Sequence, residues 1–363
     1  MMVNGKHFRS IWLEEDNHVV RIIDQTKLPH EFVVAGIKSL GDAVVAISSM
    51  QVRGAPLIGA TAAYGFAFAM RDDPADSSVN DACKKLIAAR PTAVNLAWAV
   101  SEQRSAVSPL PLGKRAQAAF ERASAIAEED VEINRLIGQA GLSLLEEVAS
   151  RKAGSPVNIL THCNAGWLAT VDWGTATAPI YMAHDQGIPV HVWVDETRPR
   201  NQGASITAFE LGQHGVPHTV ISDNVGGHLM QNRMVDLCLV GTDRTTAAGD
   251  VCNKIGTYLK ALAARDNDLP FYVAVPGPSI DWSIDNGRDI PIEQRSGDEL
   301  RMLTGKTSAG SLETVEIISP GSPVANYAFD ITPAHLVTGL ITERGITEAT
   351  KEGLARLYPE KAG

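Results

Sequence analysis

The sequence predicts an α/β protein with a parallel, Rossmann-like sheet domain and a smaller, mainly helical N-terminal domain. Two observations lead to this prediction. In residues 1–150, apolar residues recur every three or four positions, which is typical of amphipathic helices. In residues 151–363, short apolar runs alternate with turns and helical periods, which is the pattern of repeated β-α units. We therefore expect the domain boundary near residue 150.

The N-terminal domain is predicted to contain four helices and one short hairpin. Its helical segments are rich in Ala, Leu and Glu, which favour the helix. Alternating apolar residues in 8–13 and 19–23 predict the two strands of the hairpin. Residues 72–80 and 109–113 are rich in Asp, Ser, Pro or Gly and are predicted to be exposed connections. The predicted helices cover residues 38–50, 60–70, 93–107 and 114–149.

Six apolar runs in the second half are predicted to form the sheet. They are almost continuously apolar, as expected for parallel strands that helices cover on both faces. These runs are 157–162, 189–194, 218–222, 237–241, 271–275 and 315–318.

Polar residues directly follow several of the predicted strands. In open parallel sheets, ligands bind outside the carboxyl ends of the strands. We therefore expect a thiol, several carboxylates and two arginines to line one crevice. The strand ends concerned are Cys163-Asn164, residues 195–198, Asp223-Asn224, Thr242-Asp243-Arg244 and residues 276–278.

The composition argues against several classes of protein. The formal net charge is −10 with His neutral, and no Lys- or Arg-rich run suits a nucleic-acid backbone or an anionic membrane. The apolar segments are too short to span a bilayer, and residues 1–10 lack the apolar core of a secretion signal. The four cysteines lack zinc-site spacing and are expected to be free thiols. We therefore expect a cytoplasmic protein that binds neither nucleic acid nor membranes.

The segment from Arg53 to Gly59 has the composition of an anion-binding helix N-terminus. Pro56 suits the first helical position, the small residues allow a close approach, and Arg53 can bind an oxyanion through two N–H groups. The segment is neither a Walker A loop nor a dinucleotide-binding fingerprint, because the required spacings are missing. It predicts a phosphate site, although a glycine turn with a surface arginine explains it equally well.

Cys163 and Asp243 are the candidate reactive groups. A thiol at a strand end can act as an acid or a thiolate, and a carboxylate after a buried strand can serve in acid/base catalysis. Taken alone, each is better explained structurally, Cys163 as a core thiol and Asp243 as a partner of Arg244 or a helix cap. Asn253 and Lys254 are expected near the start of a helix, where they could bind hydroxyls or phosphate.

Seven short motifs occur in one order along nearly the whole chain, at residues 52–56, 89–96, 163–166, 195–199, 202–204, 241–244 and 249–257. Together they resemble the methylthioribose-1-phosphate isomerase family, which is related to translation initiation factor 2B. The resemblance implies conversion of 5-methylthioribose 1-phosphate to 5-methylthioribulose 1-phosphate in methionine salvage. It also implies a homodimer and no metal or redox cofactor.

The resemblance also implies roles for individual residues. Cys163 and Asp243 would form the catalytic acid/base pair. Three segments differ from the family's usual residues, namely Ala165, Arg200-Asn201 and residues 224–227. A 5-deoxyribose or ribose 1-phosphate therefore stays open as the substrate. The residues implied to bind substrate are Arg53, Gly54, Ala55, Arg90, Gln202, Asn253 and Lys254.

Two further functions stay open. One is a regulatory subunit of initiation factor 2B, which would bind protein partners and need no acid/base pair. The other is ribose-1,5-bisphosphate isomerase, in which Arg198 or Arg200 would bind the second phosphate. For any sugar 1-phosphate, the phosphate blocks C1 and no free aldehyde can form, so an ordinary proton shuttle between C1 and C2 cannot start unaided.

Overall fold

The computed structural model describes residues 1–15, 18–91 and 93–361, and Thr92 of the second motif lies outside these ranges. The helices are α1 Leu40–Ser48, α2 Ala55–Asp72, α3 Asp76–Ala89, α4 Val94–Val107, α5 Leu112–Ser150, α6 Ala178–Asp185, α7 Ala208–His214, α8 Gly226–Gln231, α9 Thr257–Asp266, α10 Asp298–Arg301 and α11 Lys351–Leu357. The strands are β1 Met2–Val3, β2 Lys6–His7, β3 Ile11–Leu13, β4 Val20–Ile23, β5 Val34–Ile37, β6 Val157–Thr161, β7 Val190–Asp195, β8 His218–Ile221, β9 Leu237–Val240, β10 Arg244–Thr246, β11 Val251–Lys254, β12 Phe271–Ala274, β13 Ile280–Asp281, β14 Met302–Lys306, β15 Leu312–Glu316, β16 Phe329–Thr332, β17 Gly339–Thr342 and β18 Gly345–Thr347.

Helix α2 is the centre of the N-terminal part. Nearly all of its residues up to Met70 are buried, and it packs against α1, α3, α4 and α5. Ala and Gly dominate its sequence, so neighbouring helices approach closely. A Cβ on Gly65, for example, would lie 2.5 Å from Cβ of Ala43. The four predicted helices are confirmed as α1, α2, α4 and α5.

Helix α3 corrects the prediction of an exposed connection over 72–80. The Asp73 carboxylate accepts a hydrogen bond from the Ala75 N–H at 3.1 Å, and the helix begins at Asp76. Val79 and Leu86 are buried in the core. The Asp and Ser residues here therefore begin a helix rather than a loop. The connection over 109–113 is also shorter than predicted, because α5 begins at Leu112.

A small antiparallel sheet, in the order β3-β4-β5, covers one side of these helices. The predicted hairpin is confirmed, with Ile11 opposite Ile22. Strand β5 adds a third strand that the prediction lacks, pairing Val20 with Ile37.

The second half contains a seven-stranded sheet in the order β18-β17-β12-β9-β6-β7-β8. All neighbouring pairs are parallel except β17 and β18. Five predicted strands are confirmed as β6, β7, β8, β9 and β12. The sixth, 315–318, is wrong: it overlaps β15, which pairs with β14 in an exposed hairpin, and β17 takes the parallel position. Val315 is 50% exposed, so apolar content alone misplaced this segment.

A second sheet, in the order β13-β10-β11-β16, carries several predicted site residues. Asp243 directly precedes β10, and Asn253 and Lys254 end β11. The prediction that the last two lie near a helix start is therefore wrong, because α9 begins only at Thr257. Because Asn253 and Lys254 are polar, the sequence does not predict strand β11, although all four of its residues are buried.

Helix α5 runs for 39 residues and contacts α2, α4, α6 and β17. Glycines allow α6 to approach it, and a Cβ on Gly141 would lie 2.5 Å from Cγ of Pro179. Within the described ranges, no helix is both long and apolar enough to cross a membrane.

We predict that Gly141→Ala lowers the free energy of unfolding by about 1–3 kcal/mol, because the rigid Pro179 ring cannot move away from the new methyl group. Gly113→Ala is a matched control in the same helix, where a Cβ would have no neighbour within 4 Å. It should be neutral or stabilising by about 0.5–1 kcal/mol, because Ala favours the helix. Denaturant unfolding of both variants checks the prediction, and equal effects would contradict it.

Candidate active site

The N-terminus of α2 lies against the loop that follows β6. Gly54 precedes the helix with φ of 88°, and a Cβ there would lie 2.4 Å from the carbonyl oxygen of Ala169. Only glycine combines this conformation with such a close approach. Pro56 lies in the first turn of α2, which confirms the predicted helix start.

Arg53 joins this helix start to the end of β6. Its Nη1 donates to Oδ1 of Asn164 at 2.6 Å, and its Nη2 donates to the Asn164 carbonyl at 3.1 Å. Nη2 also lies 3.7 Å from Sγ of Cys163. The structure therefore brings two of the predicted site residues, Arg53 and Cys163, into direct contact.

Cys163 is buried and has an unusual backbone conformation, with φ of 67°. Its N–H donates to Oγ1 of Thr197 at 2.9 Å, and its carbonyl accepts from Oγ1 of Thr207 at 2.8 Å. A positive φ in a residue with a side chain costs about 1–2 kcal/mol and persists where the surroundings hold it. The two hydroxyl contacts fix the backbone that carries the thiol.

The Glu210 carboxylate holds the Asn164 side chain and the loop after β6 in place. It accepts hydrogen bonds from the Leu168 N–H at 2.8 Å, from Nδ2 of Asn164 at 3.2 Å and from the Tyr181 hydroxyl at 3.2 Å. Burial raises the pKa of Glu210 to about 7, and the hydrogen bonds from Leu168 and Asn164 oppose this rise. Glu210 thus orients the amide that holds Arg53.

The ends of β6, β7 and β8 meet, as the sequence predicts. Asp223, after β8, accepts the N–H groups of Thr197 and Arg198 at 2.7 Å each. Thr197, after β7, in turn accepts the N–H of Cys163, after β6. The convergence of these three strand ends is therefore confirmed by direct contacts.

A buried ion network lies under the same strand ends. Oδ2 of Asp195 is 2.8 Å from Nδ1 of His162 and 3.1 Å from Nζ of Lys260. Nε2 of His162 is 2.8 Å from the Ile255 carbonyl. His162, Asp195 and Asp223 have the donor types and spacing of a possible metal site. The Lys260 ammonium, however, already contacts Asp195 and the Asp223 carbonyl, so this cluster has its own cation.

Asp243 lines a narrow pocket with the helix start. The pocket is bounded by Gly54, Ala55, Arg90, Asp243 and Arg244 on its polar side. Its apolar wall consists of Ile58, Ala93, Cys252, Ile290, Pro291 and Phe329. Four of the nine predicted site residues therefore share one cavity.

Lys254 lies at the edge of this pocket. Its Nζ is 4.7 Å from the centre of the Phe329 ring and donates to the Ala328 carbonyl at 2.9 Å. Burial lowers the pKa of Lys254 to about 8, and the positive charges of Arg295 and Arg53 lower it further. The negative charge of Asp243 opposes this shift, which links Lys254 electrostatically to the pocket.

Arg90 is the second cation of the pocket. Its side chain is 12% exposed, and its Nη2 is 4.0 Å from Oε2 of Glu293. Burial lowers the pKa of Arg90, and the positive charge of Arg295 acts in the same direction. Its Nε has no hydrogen-bond partner among the described residues.

Gln202 and Asn253 are buried but lie outside the lining of the Asp243 pocket. Oε1 of Gln202 has no hydrogen-bond partner in the part of the chain that the structure describes. Nδ2 of Asn253 donates to Oγ1 of Thr257 at 3.0 Å, which ties the end of β11 to the start of α9.

Arg198 and Arg200, the candidates for a second phosphate, contact a different segment. Arg198 donates to the carbonyl of Leu300 at 3.0 Å, and Arg200 pairs with Glu299 at 3.0 Å. Both side chains thus anchor residues 299–300 to the loop after β7.

Sequence reasoning missed Glu293 and Arg295. Both lie in a polar segment between β13 and β14, and nothing in its composition distinguishes it from other loops. Oε1 of Glu293 is 3.2 Å from Nε of Arg295, and Oε2 accepts from Nη2 at 3.3 Å. Only the fold brings this pair to Arg90 and Lys254.

A larger groove, of about 610 Å³, lies elsewhere, between residues that include Tyr258, Arg288 and His335. None of the nine predicted site residues is in its lining. The smaller pocket is the better candidate, because four of the predicted site residues, Asp243 and Arg90 among them, line it.

The fold and the site define a Rossmann-like α/β protein whose strand ends and helix N-terminus surround a cationic crevice. Residues 51–349 match the model of the family described as "Initiation factor 2 subunit family". The chain belongs to this family.

Similar proteins carry the name of an isomerase. The chain is 61% identical to "Methylthioribose-1-phosphate isomerase" of Rhodospirillum rubrum, over 100% of this chain and 94% of that protein. It is 60% identical to the protein of the same name from Sinorhizobium medicae, over 100% of both chains.

Solved structures carry two kinds of name. The 5-methylthioribose 1-phosphate isomerase of Pyrococcus horikoshii has a TM-score of 0.83 at 38% identity, covering 98% of this chain and 97% of that one. A protein named translation initiation factor eIF-2B, subunit delta, from A. fulgidus has a TM-score of 0.80 at 36% identity, covering 97% and 100%.

We predict that Asp195→Asn lowers the free energy of unfolding by about 3–5 kcal/mol, because Lys260 would remain buried without its counter-ion. Asp185→Asn is a matched control, since Asp185 also pairs with a histidine at 2.8 Å but is 52% exposed. The control should cost less than about 1 kcal/mol. Denaturant unfolding at pH 7 measures both, and similar losses would refute a special role for the buried network.

Proposed function

We propose that this protein is an aldose-ketose isomerase that converts 5-methylthioribose 1-phosphate to 5-methylthioribulose 1-phosphate in methionine salvage. The observation that carries the proposal is the meeting of a buried thiol, a carboxylate and several cations at the strand ends. Cations suit a phosphate, and the thiol and carboxylate suit proton transfer. The name shared by full-length relatives at about 60% identity supports this assignment.

The proposed roles follow from the chemistry of each side chain. Asp243 and Cys163 are the acid/base pair. Arg53 and Lys254 hold the phosphate, and Arg90 adds a further positive charge. The backbone N–H groups of Gly54 and Ala55 lie at the start of α2, where a helix favours bound anions. Gln202 and Asn253 bind the sugar hydroxyls.

The phosphate on C1 sets the course of the reaction. In one route, Asp243 protonates the ring oxygen and the ring opens; Cys163 then moves the C2 proton through an enediolate-like state to C1. In the other route, a hydride passes from C2 to C1, and the pair exchanges only hydroxyl protons. Both routes add one proton to the ring oxygen, remove the proton of the C2 hydroxyl and transfer one hydrogen to C1. A pocket that excludes water protects either intermediate.

Two observations favour a 5-methylthio substituent over a second phosphate. The pocket wall contains Ile58, Ile290 and Pro291, which suit an apolar group. Arg198 and Arg200 contact residues 299–300 instead of the pocket. Both observations weigh against a 1,5-bisphosphate substrate.

The second candidate function is that of a regulatory subunit related to initiation factor 2B. The 36% identity to the A. fulgidus protein named as such favours it. A binding subunit, however, has no need of a buried thiol and carboxylate beside a cluster of cations.

The proposal extends to the setting of the enzyme. A domain boundary near residue 150 is supported by one buried hydrophobic cluster whose residues come almost entirely from 11–127.

A cytoplasmic location is supported by four free cysteines, which suit a reducing compartment. A homodimer is proposed on the family resemblance.

A substrate panel tests the proposed function. The purified protein is incubated with the 1-phosphates of 5-methylthioribose, 5-deoxyribose and ribose and with ribose 1,5-bisphosphate, and ketose formation is followed. We expect kcat/KM to be highest for 5-methylthioribose 1-phosphate. Preference for the bisphosphate would overturn the substrate assignment, and inactivity on the whole panel would favour the binding subunit.

We predict that Asp243→Asn and Cys163→Ser each lower kcat about 10²- to 10⁴-fold, because each removes one partner of proton transfer. Cys83→Ser is the control, since Cys83 is another buried thiol but lies in α3. Its kcat should stay within about twofold of the wild type when circular dichroism shows a native fold. Near-normal turnover of a Cys163 or Asp243 variant would remove that residue from the mechanism.

We predict that kcat/KM falls about fivefold between pH 8 and pH 9, because Lys254, with its pKa lowered to about 8, goes from about half charged to about one-tenth charged in the free enzyme. The pH profile of kcat/KM measures this fall. Lys254→Arg keeps the positive charge throughout this range and should move the fall to higher pH. An unchanged profile in this variant would show that another group causes the fall.

A further inference from the structure

We propose that Arg295 is a further substrate-binding residue, whose guanidinium contacts the phosphate together with Arg53 and Lys254. The inference rests on the proposed function only in requiring that the ligand carries a phosphate. It assigns the phosphate to a segment, residues 293–296, that none of the seven motifs contains.

The position of Arg295 supports the proposal. Its guanidinium carbon lies 5.5 Å from the centre of the Phe329 ring, and Nζ of Lys254 lies 4.7 Å from the same centre. Its Nη1 reaches Sδ of Met50 at 3.9 Å, just before the segment that begins with Arg53. Arg295 therefore lies beside Lys254 at the Phe329 wall of the pocket, and it reaches a residue three positions before Arg53.

The environment of Arg295 leaves donors for a ligand. Its side chain is 8% exposed, and its Nε has no hydrogen-bond partner in the described ranges. Glu293 lies 3.2 Å from this Nε, but as an ionic contact without hydrogen-bond geometry. A guanidinium offers five N–H groups, more than its carboxylate partner and the Met50 sulfur can use.

The charges around the pocket require an anion. The cations are Arg53, Arg90, Arg244, Lys254 and Arg295, and the carboxylates are Asp243, Glu293 and Asp281, the last of which pairs with Arg244 at 3.5 Å. Five cations against three carboxylates leave an excess of two positive charges. After burial, the charge of Arg295 is the largest influence that lowers the pKa of both Arg90 and Lys254. Bringing such charges together costs free energy unless an anion compensates them. A phosphate monoester dianion carries the matching charge.

Two neutral contacts strengthen this argument. Arg53 donates to the Asn164 carbonyl and amide oxygens, and Lys254 donates to the carbonyl of Ala328. These acceptors orient the two cations without neutralising them. The backbone of Arg295 is fixed as well, because its N–H donates to the Asn326 carbonyl at 2.9 Å.

Binding of inorganic phosphate and steady-state kinetics test the role of Arg295. Arg295→Gln and Arg295→Met remove the charge, and we expect each to raise the Kd of phosphate and the KM of the sugar phosphate about 10- to 100-fold. The kcat value should change less than KM. Arg295→Lys keeps the charge but loses the planar fork, so it should restore part of the affinity.

The control is Arg301→Gln, since Arg301 also lies in the polar stretch between β13 and β14. Arg301 is 34% exposed and pairs with Asp298 and Glu316 at the surface. Its phosphate Kd and KM should equal those of the wild type. If only one of the two neutral variants, Arg295→Gln or Arg295→Met, has a native fold by circular dichroism, that variant alone is enough for the test.

A second measurement separates a role in binding from a role in folding. Besides Arg295, the groups that act on Lys254 are Arg53, Asp243 and Cys163. Removing the charge of Arg295 raises the pKa of Lys254, so the alkaline fall in kcat/KM should move to higher pH. Arg295→Lys keeps this charge, so its alkaline fall should stay at the wild-type pH. A loop that merely loosens would hydrate Lys254 and raise its pKa in the Lys variant as well.

The outcomes distinguish this inference from the proposed function. Unchanged phosphate Kd and KM in a folded neutral variant would overturn the role of Arg295, as would a wild-type protein that binds no phosphate. Loss of phosphate binding on substitution of Arg295, in a protein inactive on all four sugar phosphates, would instead support Arg295 and overturn the isomerase.

Discussion

The approach of the α2 N-terminus to the loop after β6 is the contact on which the site depends. Gly54 makes it possible, because any side chain there would collide with the backbone of Ala169. Arg53 then reaches Asn164 and the Cys163 sulfur. Hydrogen bonds from Arg53 thus join the start of α2, in the first part of the chain, to the end of β6, in the second.

Buried charge is the second constraint, and the protein handles it in two ways. Beneath the strand ends, the Asp195 carboxylate pairs with the Lys260 ammonium and contacts His162, so the network contains its own counter-ion. Around the pocket, cations outnumber carboxylates, and Lys254 contacts a carbonyl and an aromatic face. The first arrangement stabilises the fold, whereas the second leaves charge for a ligand. Two clusters of similar composition therefore differ in role because their charge balance differs.

The sequence predicted the architecture well where local patterns reflect local structure. The helices of the first part and five parallel strands follow from the spacing of apolar residues, because that spacing depends on which face of each element is buried. It failed where the same pattern has two structural meanings. The apolar residues of β15 lie in an exposed hairpin, and the polar residues of β11 lie in a buried strand. Residues 72–80 are rich in Asp and Ser and predict an exposed connection, yet α3 begins at Asp76.

The sequence by itself determined that helices precede a parallel sheet, that polar groups follow its strands, and that its motifs resemble one family. Burial and backbone preferences act over a few residues, so the residue order records them. Only the tertiary structure decided that Arg295 lies beside Lys254 and that Arg198 and Arg200 contact another segment. Electrostatic interactions act through space, and residues far apart in the chain acquire them only when the fold brings them together.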